Sequence, residues 1–289
     1  METHEIEALE IELLLDALLR RSGYDFRSYA RASIERRTRQ FLSGNGFDTV
    51  SELLGRALRD EALLSRLIQS YSLTVTEMFR DPQVFLAIRE QVVPLLRTWP
   101  HVKVWCAGCA TGEEAYSLAI LLREEGLLGR TVLYATDFND GSLETARGGV
   151  YPTDRIREAT RNHQRSGGRE SFGGYYRARY GAAVMDPALK ARITFANHNL
   201  VSDGVFGEMH LIFCRNVLIY FDRALQGRVL DLFADSLARG GFLCLGLAED
   251  TQFTGAAHRF EVVDCEARIY RRLTENPTSI EGEEGGIHD

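Results

Sequence analysis

Between residues 5 and 70, apolar side chains recur at helical spacing. Ile6, Leu9, Leu13 and Leu14 lie along one stripe, and SELLGRALRDEALLSRLIQS continues the pattern. The spacing predicts a small all-α domain over residues 1–72. From residue 101 the texture changes to short β-rich apolar runs alternating with helical stretches: VKVWCA, EEAYSLAILLREEG, TVLYATD and SLETARGG. That βαβα rhythm predicts a parallel sheet covered by helices. It lapses between about 152 and 190, where GGRESFGGYYRARYGAAV is rich in Gly, Tyr and Arg and has no long helical stripe; an inserted subdomain or a long loop is expected there. The alternation resumes with RITFANHNL, EMHLIFCRN, RALQGRVLDLFADSLARGG and FLCLGLAED, and a strand pair at FEVVD and RIYRR closes it.

Residues 73–100 form the junction. In SLTVTEMFRDP, Thr74 and Glu77 have the spacing of a capping box, and Asp81-Pro82 places a cap before proline. The α/β domain is expected over 101–274. Beyond it, ENPTSIEGEEGGIHD is polar, acidic and Gly-rich, the composition of a disordered tail over 275–289.

The 289 residues, 45% hydrophobic, suit one large domain or a small one beside a medium one. The apolar runs are too short to span a bilayer, and METHEIEALE is acidic where a signal peptide would be basic, so a soluble cytoplasmic protein without membrane insertion is expected. Five cysteines, an odd set largely in apolar strand-like surroundings, make a disulfide framework a poor reading. A net charge of -7 argues against general nucleic-acid binding. One stretch runs against that charge. Seven arginines lie between positions 20 and 39, and Arg31, Arg36 and Arg37 among them form either a solvated helix face or a surface for an acidic partner.

The segment WCAGCATGEE (105–114) admits three chemistries. Its CxxC could be a redox pair, and a Trp before CxxC ahead of a helix has precedent in thioredoxin-like proteins. Yet the parallel array is longer than that fold needs, and no second CxxC completes a zinc site. Gly108 and Gly112, at the C-terminal edge of the first parallel strand, instead suit a cofactor cradle. Glu113 and Glu114 either favour the helix N-terminus or bind a ligand. At the end of the next strand, Asp137 suits ribose hydroxyls or a helix cap. These residues indicate an adenosine-type cofactor and leave NAD and S-adenosylmethionine both open, although no GxGxxG is present. In HLIFCRNVLIYFD, Arg215 and Asn216 end a buried strand ahead of Tyr220; a structural salt bridge is the other reading of Arg215.

Taken in order, TVTEMFRDP, WCAGCATGEEAYSLAI, ATDFN, GVYP, NHNL, IFCRNVLIYFD and GGFLCLG closely resemble the chemotaxis receptor methyltransferases, the CheR family, over roughly residues 5–272. The resemblance implies a Rossmann-like S-adenosylmethionine-dependent α/β domain with a small inserted β subdomain, preceded by an all-α domain. It also implies methyl transfer onto glutamate carboxylates in the cytoplasmic helices of chemoreceptors, releasing S-adenosylhomocysteine, with no metal. Carried over by position, Thr74, Thr76, Arg80, Glu113 or Glu114, Asp137, Asn199, Leu200, Arg215 and Asn216 would contact the cofactor. Arg80 and Tyr220 would flank the transferring methyl, and Arg31, Arg36 and Arg37 would meet acidic receptor helices. Thr74 stands where the family often has Asn, and Ala248-Glu249 replaces its Ser-Glu. GGRESFGG lacks the GxGxxxG spacing of members that capture a receptor C-terminal pentapeptide, so tethering of that kind is not expected. Two alternatives remain: a non-catalytic S-adenosylmethionine-sensing adaptor, and a methyltransferase of a non-chemotaxis receptor pathway.

Overall fold

The structure is a computed structural model and describes residues 2–72, 76–252 and 254–273. Thr74 and the tail over 275–289 lie outside the described residues.

Four helices come first: α1 (Thr3–Ser22), α2 (Arg31–Asn45), α3 (Val50–Ala57) and α4 (Glu61–Tyr71). Side chains spaced at helical intervals, including Ile11, Leu14, Leu18, Ile34, Leu53 and Leu67, make their shared core. Of the stripe read from sequence, Leu14 is buried, whereas Ile6, Leu9 and Leu13 are exposed. The core face is therefore rotated from that stripe to Ile11, Leu14, Leu15 and Leu18.

Of the expected capping box, Thr74 lies outside the described residues and Glu77 lies in non-helical chain. Helix α5 (Pro82–Ala87) does begin at the Asp81-Pro82 step, but the Asp81 side chain makes no cap hydrogen bond. It serves Arg215 instead, as described below. A π-helical turn (Ile88–Val92) leads into α6 (Val93–Leu96).

The α/β domain alternates β1 (Val102–Ala107), α7 (Glu113–Glu124), β2 (Thr131–Asp137) and α8 (Asp140–Gly148). The insertion follows: β3 (Val150–Pro152), α9 (Ile156–Arg165), β4 (Tyr176–Arg179) and β5 (Ala182–Met185). It forms an antiparallel sheet of order β3-β5-β4. The ten-residue α9 corrects the expectation that this stretch carries no long helical stripe. Its buried face, Ile156, Ala159, Asn162 and His163, is half polar, which hides the period from a hydrophobicity pattern. The chain continues through α10 (Pro187–Lys190), β6 (Ile193–Asn197), β7 (Met209–Cys214), α11 (Arg223–Ser236), β8 (Leu237–Leu245), β9 (Phe260–Asp264) and β10 (Ile269–Arg272).

The main sheet has the order β6-β2-β1-β7-β8-β10-β9, parallel through β8 and antiparallel at β10 and β9. Two apolar layers cover it, one centred on α5 and α7 and the other on Trp105 and α11. The order reverses between β1 and β7. Such a reversal opens a crevice at the strands' C-terminal ends, where open α/β sheets bind ligands.

The helical domain closes over that crevice. Ala30 N–H donates to the Tyr220 carbonyl and Asp222 N–H to the Ser28 carbonyl, both at 2.8 Å. Between these bonds Tyr29 packs edge-on against Phe221, with ring centroids 5.0 Å apart.

Candidate active site

Six stretches build one cleft of about 830 Å³, including its open mouth: Thr76 and Arg80 from the junction, Gly108 to Ala110 with Glu114, Asp137 with Phe138, His198 to Leu200, Arg215 to Val217, and Tyr220 with Phe221. The helical domain adds Tyr29, Tyr71 and Ser72. Among the described residues proposed from sequence, Thr76, Arg80, Gly108, Glu114, Asp137, Asn199, Leu200, Arg215, Asn216 and Tyr220 are thus brought together. Glu113 is not among them. Its carboxylate accepts from the Thr111 hydroxyl at 2.6 Å, stands 3.7 Å from Arg155, and lines a second cleft.

The loop after β1 folds back on β2. Gly108 and Cys109 N–H groups both donate to the Thr136 carbonyl, at 2.8 and 2.9 Å, and Gly112 N–H donates to the Cys109 carbonyl. Ala110 N–H donates to Asp137 Oδ2 at 2.9 Å. These donors are therefore engaged within the protein, which differs from a phosphate cradle, where they face the ligand. Gly108 is required here for two reasons. Its φ is +73°, and an added Cβ would lie 2.5 Å from Val217 Cγ2.

Asp137 accepts from Asn139 N–H as well, at 2.9 Å, and Asn139 itself caps α8. Asp137 is thus free of the capping role, and its carboxylate retains acceptor capacity beyond its backbone donors. Burial pushes its pKa up, and the backbone donors of Asn139, Ala110 and Phe138 oppose that shift.

Arg215 is buried and ion-paired, so the structural reading of this arginine holds. Its Nη2 lies 2.6 Å from Asp81 Oδ2, and its Nη1 lies 2.9 Å from both Glu114 Oε2 and the Arg80 carbonyl. It thereby fixes the backbone on which Arg80 sits. Phe79 and Asp81, on either side of Arg80, both have φ of +54°, and Ala110 and Asn216 in the cleft wall are left-handed too. Such conformations cost about 1–3 kcal/mol each and persist where surrounding structure enforces them. Glu249 supplies part of that enforcement. Its buried carboxylate accepts from the N–H groups of Gly246, Asn216 and Ile219.

The cysteines give the CxxC its answer. Cys106 and Cys109 are buried free thiols, and burial, reinforced by Glu114 and Asp137 respectively, pushes both pKa values far up. Reactive thiols need the opposite environment.

The arginines of the helical domain require a correction. Arg37 does not face solvent: it is 5% exposed, donates to the Tyr71 carbonyl, and stacks 5.1 Å above the Tyr220 ring. Arg31 is paired with Glu12 and Glu35, and Arg36 is exposed. Arg37 therefore buttresses the cleft from behind.

Sequence reasoning missed Tyr29, Tyr71, Asp81, His198 and Glu249. Asp81 lies inside TVTEMFRDP and His198 inside NHNL, and Glu249 follows shortly after GGFLCLG. The two tyrosines reach the cleft only through domain docking, which has no local signature.

A family model described as CheR methyltransferase, SAM binding domain, matches residues 74–269, and one described as CheR methyltransferase, all-alpha domain, matches residues 9–70. The chain belongs to the CheR methyltransferase family. It is an S-adenosylmethionine-dependent methyltransferase with the Rossmann-like architecture seen above. It is 51% identical over 264 residues to Cher3 of Pseudomonas putida, named as a candidate methyltransferase, covering 91% of this chain and 97% of that protein. It is 31% identical to a chemotaxis protein methyltransferase of Listeria innocua, covering 78% and 84% of the two chains, and 31% identical to one of Vibrio parahaemolyticus, covering 74% and 78%. In this CheR-family member the cleft lies at the sheet's reversal point, roofed by the all-alpha domain.

Proposed function

We propose that this methyltransferase esterifies glutamate side chains in the helical signalling regions of chemotaxis receptors. The observation that carries the reading is the convergence, in one cleft, of a carboxylate suited to ribose hydroxyls (Asp137) with an arginine and a tyrosine suited to a carboxylate acceptor (Arg80, Tyr220). The names of the Listeria and Vibrio relatives support the chemotaxis assignment.

Bound S-adenosylmethionine supplies a methyl group on a sulfonium, which is displaced in line by a lone pair and leaves a neutral thioether. The residues of the chain supply alignment. Asp137 accepts from the ribose hydroxyls through the acceptor capacity its backbone donors leave. Asn199, Leu200 and Asn216 form the walls around the nucleoside, and Gly108 lets Val217 pack closely against the loop that bounds it. Arg80 draws in the acceptor glutamate and keeps it ionised. Tyr220 donates a hydrogen bond that orients it. A glutamate is already ionised near neutral pH, so no proton moves and no general base is needed. Holding the reacting atoms about 3–3.5 Å apart is then the main source of acceleration. Arg215 is a positioning residue, since it grips the Arg80 carbonyl and the Glu114 carboxylate.

The test uses labelled S-adenosylmethionine and host membranes. Label that enters receptor-sized proteins and is released by mild base supports glutamate esters. Label that resists base, or no transfer at all, contradicts the reading.

A further inference from the structure

The insertion is basic in an acidic protein. Residues 150–192 contain nine arginines and lysines against four aspartates and glutamates, whereas the whole chain carries -7. On α9 three of these line up: Arg157, Arg161 and Arg165 stand four residues apart and all are exposed. Their spacing puts them on one face at intervals of about 6 Å along the axis. Arg161 has a loose, solvent-exposed pairing with Glu158 at 3.5 Å; Arg157 and Arg165 make no ion pair among the described residues. The opposite face of α9, through Ile156 and Ala159, lines the second cleft, of about 690 Å³. Thr76 belongs to the walls of both clefts, so the second cleft lies beside the first.

The arginine-rich segment of the helical domain is largely occupied, with Arg21 and Arg36 alone of its seven arginines exposed and outside any ion pair among the described residues. Arg20, Arg27, Arg31 and Arg39 are paired with carboxylates of their own domain, and Arg37 is buried. An acidic partner docking there would have to displace those carboxylates. On α9 it would displace almost none.

We propose that the acceptor protein docks through an acidic α-helix laid along the Arg157, Arg161 and Arg165 stripe of α9. A helix with glutamates or aspartates four residues apart matches the stripe in sign and pitch. The stripe lies on the outer face of the helix whose inner face lines the second cleft, and Thr76 borders both that cleft and the first. A single narrow row of three cations suits a helix better than a membrane plane or a nucleic-acid duplex, each of which would require a broader basic face. The assignment rests on the methyltransferase reading and names the face by which its substrate is held.

The experiment uses the full chain and a fluorescent synthetic helix with glutamate at every fourth position. The wild type should bind it with an affinity that falls as salt rises. The triple variants R157E/R161E/R165E and R157Q/R161Q/R165Q should each lose on the order of tenfold in affinity, from three exposed pairs of modest strength. R31E/R36E/R39E should lose far less, and donor affinity measured by calorimetry should be unchanged in the α9 variants. Unchanged helix binding by the α9 variants overturns the docking proposal. So does wild-type retention on anionic phospholipid vesicles or duplex DNA at equal or greater strength than on the helix. If the wild type binds donor and helix but methylates no receptor, the functional reading fails while the docking surface stands.

Discussion

Arg215 Nη1 lies 2.9 Å from Glu114 Oε2, and the arginine side chain is fully buried. With Asp81 on the other side, this pair locks the end of β7, the first turn of α7 and the backbone of Arg80 into one unit. Removing one partner of a buried pair leaves an uncompensated charge, at a cost of about 3–5 kcal/mol. R215A should therefore lower the free energy of chemical unfolding by about that amount and weaken donor binding with it. A double-mutant cycle with E114Q should reveal strong coupling; additive losses would show that the pair does not act as a unit.

Arg80 presents a different balance. Its carbonyl bond to Arg215 involves the backbone, so R80A retains it. Methyl transfer should fall by about a hundredfold or more, the scale expected for losing an aligning and charge-stabilising group. The melting temperature should move little. Turnover at the wild-type level would remove Arg80 from the mechanism.

Gly108 tests the tightness of the cradle. G108A forces a Cβ to within 2.5 Å of Val217 Cγ2 at a φ of +73°. Thermal unfolding should show a loss of about 1–3 kcal/mol. Adding V217A should recover part of that loss, because it relieves the contact and leaves the backbone strain. Full recovery would mean that the contact alone matters.

Acid stability should depend on Glu124. Burial alone would raise its pKa, but His163, Glu170 N–H, Tyr175 and Arg89 hydrogen bonds hold it down at about 2, from an ordinary 4.5. A carboxyl lowered on folding adds stability that is fully present above about pH 4.5 and is lost as pH falls toward about 2. E124Q should therefore be less stable than wild type at pH 7, and the gap should narrow across that window. A gap independent of pH would assign Glu124 a purely steric role.

Much of this architecture is legible in the sequence because β-rich apolar runs such as VKVWCA and TVLYATD become buried central strands, and because the motif residues lie at strand ends that the sheet order gathers together. Four features were not legible, for physical reasons. Helix α9 hides behind a half-polar buried face containing Asn162 and His163. The helical stripe of α1 misled because Ile6, Leu9 and Leu13 face outward. Arg37 looked like part of a surface charge cluster until packing turned it against Tyr220. Spacing alone could not separate Glu113 from Glu114, since adjacent residues on a helix point about 100° apart and only the tertiary setting decides which one meets the cleft.

The central claim is that a nucleoside donor is held by Asp137 at the tip of β2. Titration calorimetry with S-adenosylmethionine on wild type and D137A, each checked for an unchanged melting temperature, tests it most directly. The account predicts one donor per wild-type chain and binding weakened by about tenfold or more in D137A. Equal affinity in the two proteins would contradict it.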